Sequence, residues 1–171
     1  LEDMTQRLAV RWRLLLTLTS GLLAWGLLGV SVSHLGFDWI DRQWAAWPWL
    51  GVGLAVLAVT GLPHAFNIID GYNGLAGAVA LVVCLALAHV ALQVGDRELA
   101  AMALALAAAT AGFLVWNYPR GLIFAGDAGA YLWGLLIAVI SLLLVQRHPI
   151  VSPWFPMLLL IYPVWETLFS I

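Results

Sequence analysis

Residues 64–75 read His64-Ala65-Phe66-Asn67-Ile68-Ile69-Asp70-Gly71-Tyr72-Asn73-Gly74-Leu75. The stretch joins two long apolar runs, and it places amide and carboxylate side chains where a membrane helix normally carries apolar ones. Polar groups are costly at such a position in a bilayer. Asn67, Asp70 and Asn73 stand three residues apart, so in a helix they share one face and can converge on a ligand. The stretch therefore predicts a bundle of membrane helices with a binding site at a helix junction.

A second junction repeats this pattern. It reads Asn117-Tyr118-Pro119-Arg120 and, a few residues later, Gly126-Asp127-Ala128-Gly129. Glycines at both junctions, among them Gly71 and Gly74, let the backbone approach a phosphate or a sugar closely. The helix N-termini beside them would offer N–H donors and a positive dipole end to an anion. We expect the two junctions to share one site.

Composition fixes the class of protein. The 171 residues are 64% hydrophobic and 9% charged, with a mean hydropathy of +0.99, which is more apolar surface than one soluble core of this size can bury. The sequence predicts an all-α, polytopic transmembrane bundle. A net charge of −2 and the absence of lysine give no support for a nucleic-acid partner. The single Cys84 offers neither a disulfide nor a metal site and is expected to be a packing residue.

A membrane helix needs about 20 apolar residues, and on this basis the sequence predicts about six spans. They cover about 9–33, 48–68, 74–94, 98–116, 124–145 and 154–171. The tryptophan-rich residues 37–44 are expected to form a short helix or loop on the membrane surface. An even number of crossings then separates Glu2 and Asp3 from both junctions and from Glu166. All of these polar groups are expected on one side, and a small excess of arginine there favours the cytoplasm.

Several polar residues allow more than one interpretation. Asp70 and Asp127 could cap the helices that follow them, but two glycine-flanked aspartates on one side favour a site. Amide and carboxylate oxygens such as those of Asn67 and Asp70 suit magnesium, which takes further ligands from water and substrate phosphates. His64 could bind a ligand or could be a hydrogen-bonded interface residue. Tyr72, and Trp116 beside Asn117, could flank a nucleobase.

These motifs resemble those of the polyprenyl-phosphate N-acetylhexosamine-1-phosphate transferases, also called glycosyltransferase family 4. The family includes the phospho-N-acetylmuramoyl-pentapeptide transferases and the undecaprenyl-phosphate GlcNAc-1-phosphate transferases. The run from Asn67 to Leu75 is similar to the family's Asp-Gly-x-Asp-Gly-Leu motif, and residues 116–129 are similar to its Asn-x-Pro and Gly-Asp-x-Gly motifs. Glu2 and Asp3 stand where the family has paired aspartates. The resemblance covers the whole chain, which reads as a C-terminal-half fragment: residues 1–171 are one partial integral-membrane transferase domain without its upstream helices and downstream cytoplasmic loop.

The resemblance implies an activity. Family members transfer a sugar 1-phosphate from a UDP-sugar, such as UDP-N-acetylglucosamine, to undecaprenyl phosphate at the cytoplasmic face of the inner membrane. UMP is released, magnesium is the cofactor with manganese as a substitute, and the product starts a lipid-linked cell-surface glycan. A homodimer is compatible with this class.

The resemblance also implies roles for single residues. By position, Asn67 and Asp127 match the metal ligands. Asp70, Asp3 and, less closely, Glu2 match the family's catalytic carboxylates. The resemblance implies that Asp3 deprotonates or positions the lipid phosphate. We expect substrate contacts from residues around the two junctions: His64, Gly71, Tyr72, Asn73 and Asn117.

The chain departs from the family pattern at a few positions. Glu2 replaces an aspartate, His64 stands where asparagine is frequent, Asn73 replaces an aspartate, and Ala130 replaces a serine. These changes leave open a catalytically inactive relative that serves as a membrane scaffold. A cation transporter subunit is a further alternative, which requires ionisable groups near the middle of the membrane.

Overall fold

The computed structural model describes residues 10–170 of the chain. Helices make up most of this part, and no strand occurs among these residues, so the predicted all-α class is confirmed. The expectations for Glu2 and Asp3 lie outside the described residues. The helices in order are α1 Val10–Leu28, α2 Asp38–Ala46, α3 Pro48–Ile69, α4 Leu75–Gln93, α5 Arg97–Asn117, α6 Gly126–Arg147, α7 Trp154–Leu159 and α8 Ile161–Ser170.

Four described helices, α3 to α6, are long and apolar enough to cross a membrane. The predicted count of six is therefore too high. Helix α1 has 19 residues, but Arg11 and Arg13 in its first turn lower its mean hydropathy. It also ends at Leu28, earlier than predicted, and Gly29 follows with a φ of 67° in the left-handed region that favours glycine.

The last predicted span is broken into two helices. Helices α7 and α8 have 6 and 10 residues and meet at Leu160, so neither has the length of a span. Proline explains the break, because Pro163 has no N–H to donate to the carbonyl of Leu159 one turn earlier. Helix α8 packs against α3.

Small residues at the helix crossings bring the site together. Helices α3 and α6 cross at Gly134, where an added Cβ would lie 2.4 Å from the backbone of Pro63. Because this crossing is so close, Asn67, one turn after Pro63, reaches the N-terminal end of α6. Helix α1 packs on α3 through Gly21, whose added Cβ would lie 2.9 Å from the Thr60 hydroxyl oxygen.

A network of charged side chains closes the opposite end of the bundle. Asp96 caps α5 by accepting from the Leu99 N–H at 3.0 Å, and it also contacts His148 at 3.0 Å. Arg147 at the end of α6 pairs with Glu98 at 2.9 Å and with Asp96 at 3.4 Å. Burial raises the pKa of Asp96, but the bonds from Leu99, His148 and Arg147 outweigh it and hold the pKa below its ordinary value.

The tryptophan-rich stretch lies at this same end. Helix α2 has no buried residue, and Trp39 on it is strongly exposed, as are Trp47 and Trp49 at the start of α3. Asp41 holds the preceding turn by accepting from the backbone N–H groups of Leu35 and Gly36. This arrangement is the one expected for a segment at the membrane–water interface.

Candidate functional site

One hydrogen bond joins the two junctions that the sequence analysis singled out. Asn67 Nδ2, in the last turn of α3, donates to Asp127 Oδ1, in the first turn of α6, at 2.8 Å. Since Nδ2 is used in this way, the Oδ1 of Asn67 is left to face other ligands. The contact brings the two junctions together, and a shared ligand site between them stays a prediction.

Asn117 fastens the loops on both sides of the site. Its side chain is buried, its Oδ1 accepts from the Gly74 N–H at 2.6 Å, and its Nδ2 donates to the carbonyl of Ile123 at 2.8 Å. The first bond fixes the start of α4 and the second fixes the loop that enters α6. The structure thus gives Asn117 a scaffolding position, in addition to the substrate contact predicted from the sequence.

The residues after Asp70 turn sharply into α4. Gly74 precedes that helix with a φ of 85°, and an added Cβ there would lie 2.7 Å from the ring of Tyr118. Both facts exclude a larger residue at this position. Asn73 Nδ2 donates to the Pro119 carbonyl at 3.3 Å. Gly71 and Tyr72 are exposed at the same turn, where a soluble substrate can reach them.

Neither Asp70 nor Asp127 caps the helix that follows it. Gly74 and Ala125 occupy the cap positions of α4 and α6, and neither helix has a side-chain cap bond. Asp70 follows the end of α3, and burial together with the negative charge of Asp127 raises its pKa. The raised pKa shows that the two carboxylates lie close enough to repel one another.

His64 links helices instead of facing the open junction. Its Nε2 lies 3.0 Å from the Thr17 hydroxyl of α1, and its ring meets Tyr131 of α6 edge-on with 5.3 Å between centroids. A contact between His64 and substrate stays a prediction. Glu166 on α8 is exposed, and no described contact brings it to the junction.

Two concave surfaces adjoin the junction. The smaller is a pocket of about 70 Å³ lined by Asp70, Gly71, Tyr72, Asn73, Asn117, Phe124 and Ala125. The larger is an open apolar groove of about 820 Å³ between α4 and α5, which reaches the junction at Tyr72 and Asn73. Phe124 was not singled out from the sequence, although it is strongly exposed beside the pocket.

Comparison with known proteins gives the family. Residues 1–145 match the model of "Glycosyl transferase family 4". The chain belongs to glycosyl transferase family 4. It is 34% identical over 124 residues to a "Probable undecaprenyl-phosphate N-acetylglucosaminyl 1-phosphate transferase" of Bacillus subtilis (strain 168), covering 72% of this chain and 35% of that protein. It is 35% identical over 145 residues to a "Phospho-N-acetylmuramoyl-pentapeptide-transferase" of Moorella thermoacetica, covering 82% and 43%. The chain thus spans well under half the length of these relatives.

The donors at the junction of this family 4 chain fit a hard divalent cation. Asn67 and Asp127 are in contact, Asp70 is electrostatically coupled to Asp127, and all three offer oxygen ligands. Among residues 10–170, no three or more histidine, cysteine or acidic side chains are placed so that they could hold a metal ion together. Magnesium does not need such a set of side chains, because it is commonly held by one or two carboxylates, with water and substrate phosphates completing the shell.

An arginine that the sequence analysis did not single out also reaches this junction. Arg13 Nη1, on α1, lies 2.9 Å from Asp127 Oδ2. The only sequence signal was its place in the first turn of an otherwise apolar helix, where a charge has to find a partner. At Asp127, side chains of three helices, α1, α3 and α6, thus meet.

Proposed function

We propose that the full-length protein transfers a sugar 1-phosphate from a UDP-activated N-acetylhexosamine to undecaprenyl phosphate. An oxygen of the lipid phosphate would attack the phosphorus next to the sugar. The bond from that phosphorus to the bridging oxygen of the diphosphate would break, and UMP would leave with the bridging oxygen. The observation that carries the proposal is the Asn67–Asp127 contact, which unites two family motifs at one helix-end site. The printed names of the relatives support the same class of reaction.

The chain's own residues suit the demands of this reaction. Both substrates are anionic, so catalysis depends mainly on positioning and on neutralising charge. A divalent cation bound by Asn67 and Asp127, with Asp70 nearby, would supply positive charge to the diphosphate. Asn117 holds the two loops at a fixed separation. Tyr72 and Phe124 present exposed rings beside the small pocket, where they would stack on the uracil.

The position of the site suits one lipid and one soluble substrate. Asn67 lies in the last turn of α3 and Asp127 in the first turn of α6, so their side chains stand at one end of these spans. A transporter would instead need its ionisable groups deep in the bundle. Among the described residues, the buried polar side chains within the helices, Thr17, Thr110 and Ser141, are uncharged. We further propose that the site faces the cytoplasm.

One assay tests the proposal. The purified full-length protein is incubated with UDP-N-acetylglucosamine or UDP-N-acetylmuramoyl-pentapeptide, each with and without undecaprenyl phosphate, and released UMP is measured. We expect UMP only when the lipid phosphate is present, and from one of the two sugar nucleotides. UMP release without the lipid would indicate hydrolysis, and no release under any condition would favour the inactive scaffold.

A further inference from the structure

Asp127 is held by contacts from two different helices. Asn67 Nδ2 of α3 donates to Oδ1 at 2.8 Å, and Arg13 Nη1 of α1 forms an ion pair with Oδ2 at 2.9 Å. The first contact joins two motifs that carry the family resemblance. The second involves a residue outside those motifs and places a permanent positive charge on the carboxylate that is proposed to bind a cation.

The position of Arg13 is fixed by the packing of its helix. Thr17 stands one turn further along α1, where its hydroxyl meets His64 Nε2 of α3 at 3.0 Å. One more turn along, Gly21 lies against Val56 and Thr60 so closely that a Cβ would clash. These contacts anchor the face of α1 from which Arg13 projects. The ion pair is therefore held in place, unlike a mobile surface ion pair, which contributes little to stability.

When a guanidinium and a divalent cation bind the same carboxylate, each weakens the binding of the other. Two positive charges within a few ångströms repel strongly where solvent is partly excluded, and both Arg13 and Asp127 are about three-quarters shielded from it. By thermodynamic linkage, the factor by which the Arg13 ion pair lowers cation affinity at Asp127 equals the factor by which a bound cation weakens that ion pair. A released guanidinium also has the planar, two-pronged geometry that matches phosphate oxygens.

We propose that Arg13 neutralises Asp127 until the cation arrives, competes with that cation for the carboxylate, and then binds the diphosphate of the sugar nucleotide. This inference rests on the proposed function. It adds to that function a residue of α1 whose two partners, the carboxylate and the substrate, alternate. In this arrangement the metal ligand is never left as an unpaired, partly buried charge, which would be unfavourable.

Cation binding without substrate tests the first half of the proposal. Binding of Mn²⁺ to the purified full-length protein is followed by electron paramagnetic resonance for wild type, Arg13→Gln and the control Arg11→Gln. The control removes the same charge two residues away on α1, where the side chain is exposed. We expect Arg13→Gln to bind Mn²⁺ at least about fivefold more tightly, a typical coupling between two sites, and Arg11→Gln to stay within about twofold of wild type. Equal affinities of the two variants would overturn the proposal.

Steady-state kinetics test the second half. Arg13→Gln should raise the KM for the sugar nucleotide about tenfold or more, although it binds the cation more tightly. Arg13→Lys keeps the charge and should fold even if Arg13→Gln does not. We expect it to retain wild-type Mn²⁺ affinity and to raise KM, because an ammonium lacks the two-pronged geometry. A wild-type KM in Arg13→Lys would refute the diphosphate contact.

The two proposals fail in different ways. If the wild-type protein binds no Mn²⁺ and is active without a divalent cation, the metal assignment in the proposed function is wrong, and the role of Arg13 is wrong with it. If the wild-type protein binds Mn²⁺ and turns over, but Arg13→Gln binds it no more tightly than Arg11→Gln, only the inference about Arg13 is overturned.

Discussion

Asn67 Nδ2 donates to Asp127 Oδ1 at 2.8 Å, although the two residues belong to different helices and different sequence motifs. Because the amide nitrogen of Asn67 is bonded to the carboxylate, the amide oxygen of Asn67 is left available for another ligand. The two side chains thus orient one another before any ligand arrives, and a preoriented set of ligands is what positioning catalysis requires.

The first prediction concerns Asp127. Asp127→Asn removes a ligand charge but keeps the size of the side chain, so turnover should fall by roughly 100-fold or more, as expected when charge stabilisation in phosphoryl transfer is lost. UMP release by the full-length protein measures this. Asp38→Asn on the exposed helix α2 is the matched control and should be as active as wild type. Unchanged activity in Asp127→Asn would show that this carboxylate does not bind the cation.

The second prediction concerns Asn117. Asn117→Ala leaves the Gly74 N–H and the Ile123 carbonyl without their partner, which should lower the free energy of unfolding by about 2 kcal/mol. Thermal unfolding in detergent, followed by tryptophan fluorescence, measures the loss. Asn73→Ala is the control, because Asn73 is exposed and makes one long bond, so its change should stay within about 0.5 kcal/mol. Equal effects of the two changes would contradict the scaffolding position of Asn117.

The third prediction links helix packing to activity. Gly134→Ala would place a methyl group 2.4 Å from the Pro63 backbone, so α3 and α6 must move apart. We expect a loss of about 1–3 kcal/mol in stability and a fall in activity, because Asn67 and Asp127 separate with the helices. Gly61→Ala, also on α3, meets open space and should be neutral or slightly stabilising. Full activity in a stable Gly134→Ala protein would argue against a rigid crossing.

The fourth prediction concerns the charged network at the opposite end. Asp96→Asn keeps a cap for the Leu99 N–H but loses the charge that faces Arg147 and His148, so at neutral pH it should destabilise the protein by about 1 kcal/mol. The folded pKa of Asp96 lies below its ordinary value of 3.8, so its contribution is present above that pH and is lost as pH falls through the folded pKa. The difference between variant and wild type, measured as unfolding temperature against pH, should therefore shrink as pH falls below 3.8 and vanish only below the folded pKa. A difference independent of pH would exclude the charge as its cause.

The fifth prediction concerns orientation. In a protein whose Cys84 is replaced by alanine, a single cysteine at Arg120 should resist an impermeant maleimide added to intact cells. A single cysteine at Glu98 should react with it. These positions lie at opposite ends of α5 and both side chains are exposed. Labelling of both from outside would contradict a membrane-spanning α5, and labelling of Arg120 alone would reverse the proposed cytoplasmic site.

The sequence predicted the features that depend on continuous apolar runs and on short motifs. Helices α3 to α6 match four predicted spans closely, since each is an unbroken run near 20 residues. The prediction of the final span was wrong because a hydropathy count takes no account of proline. Pro163 cannot donate a backbone hydrogen bond, and the regular helix is interrupted at Leu160.

The site was predicted only in part for a similar reason. Spacing along one helix relates Asn67 to Asp70, but contacts between helices depend on how closely they pack, which Gly21 and Gly134 decide. Nothing in the motif pattern ties Arg13 to Asp127, because their meeting requires α1 to lie against α3 and α3 to cross α6. The roles of Asp70, Tyr72 and His64 toward substrate stay predictions.

The exposed tryptophans at the start of α3 bear on how deep the functional site would lie in the membrane. Trp47 and Trp49 meet edge-on there, at the end of α3 that lies opposite Asn67. The 22 residues of α3 span roughly 33 Å at 1.5 Å per residue, close to the roughly 30 Å hydrocarbon thickness of a bilayer. If these rings lie at one interface, Asn67 and Asp127 would lie near the opposite edge of the hydrocarbon core. A lipid phosphate would meet this site by sliding sideways within its own layer, so its search is confined to two dimensions.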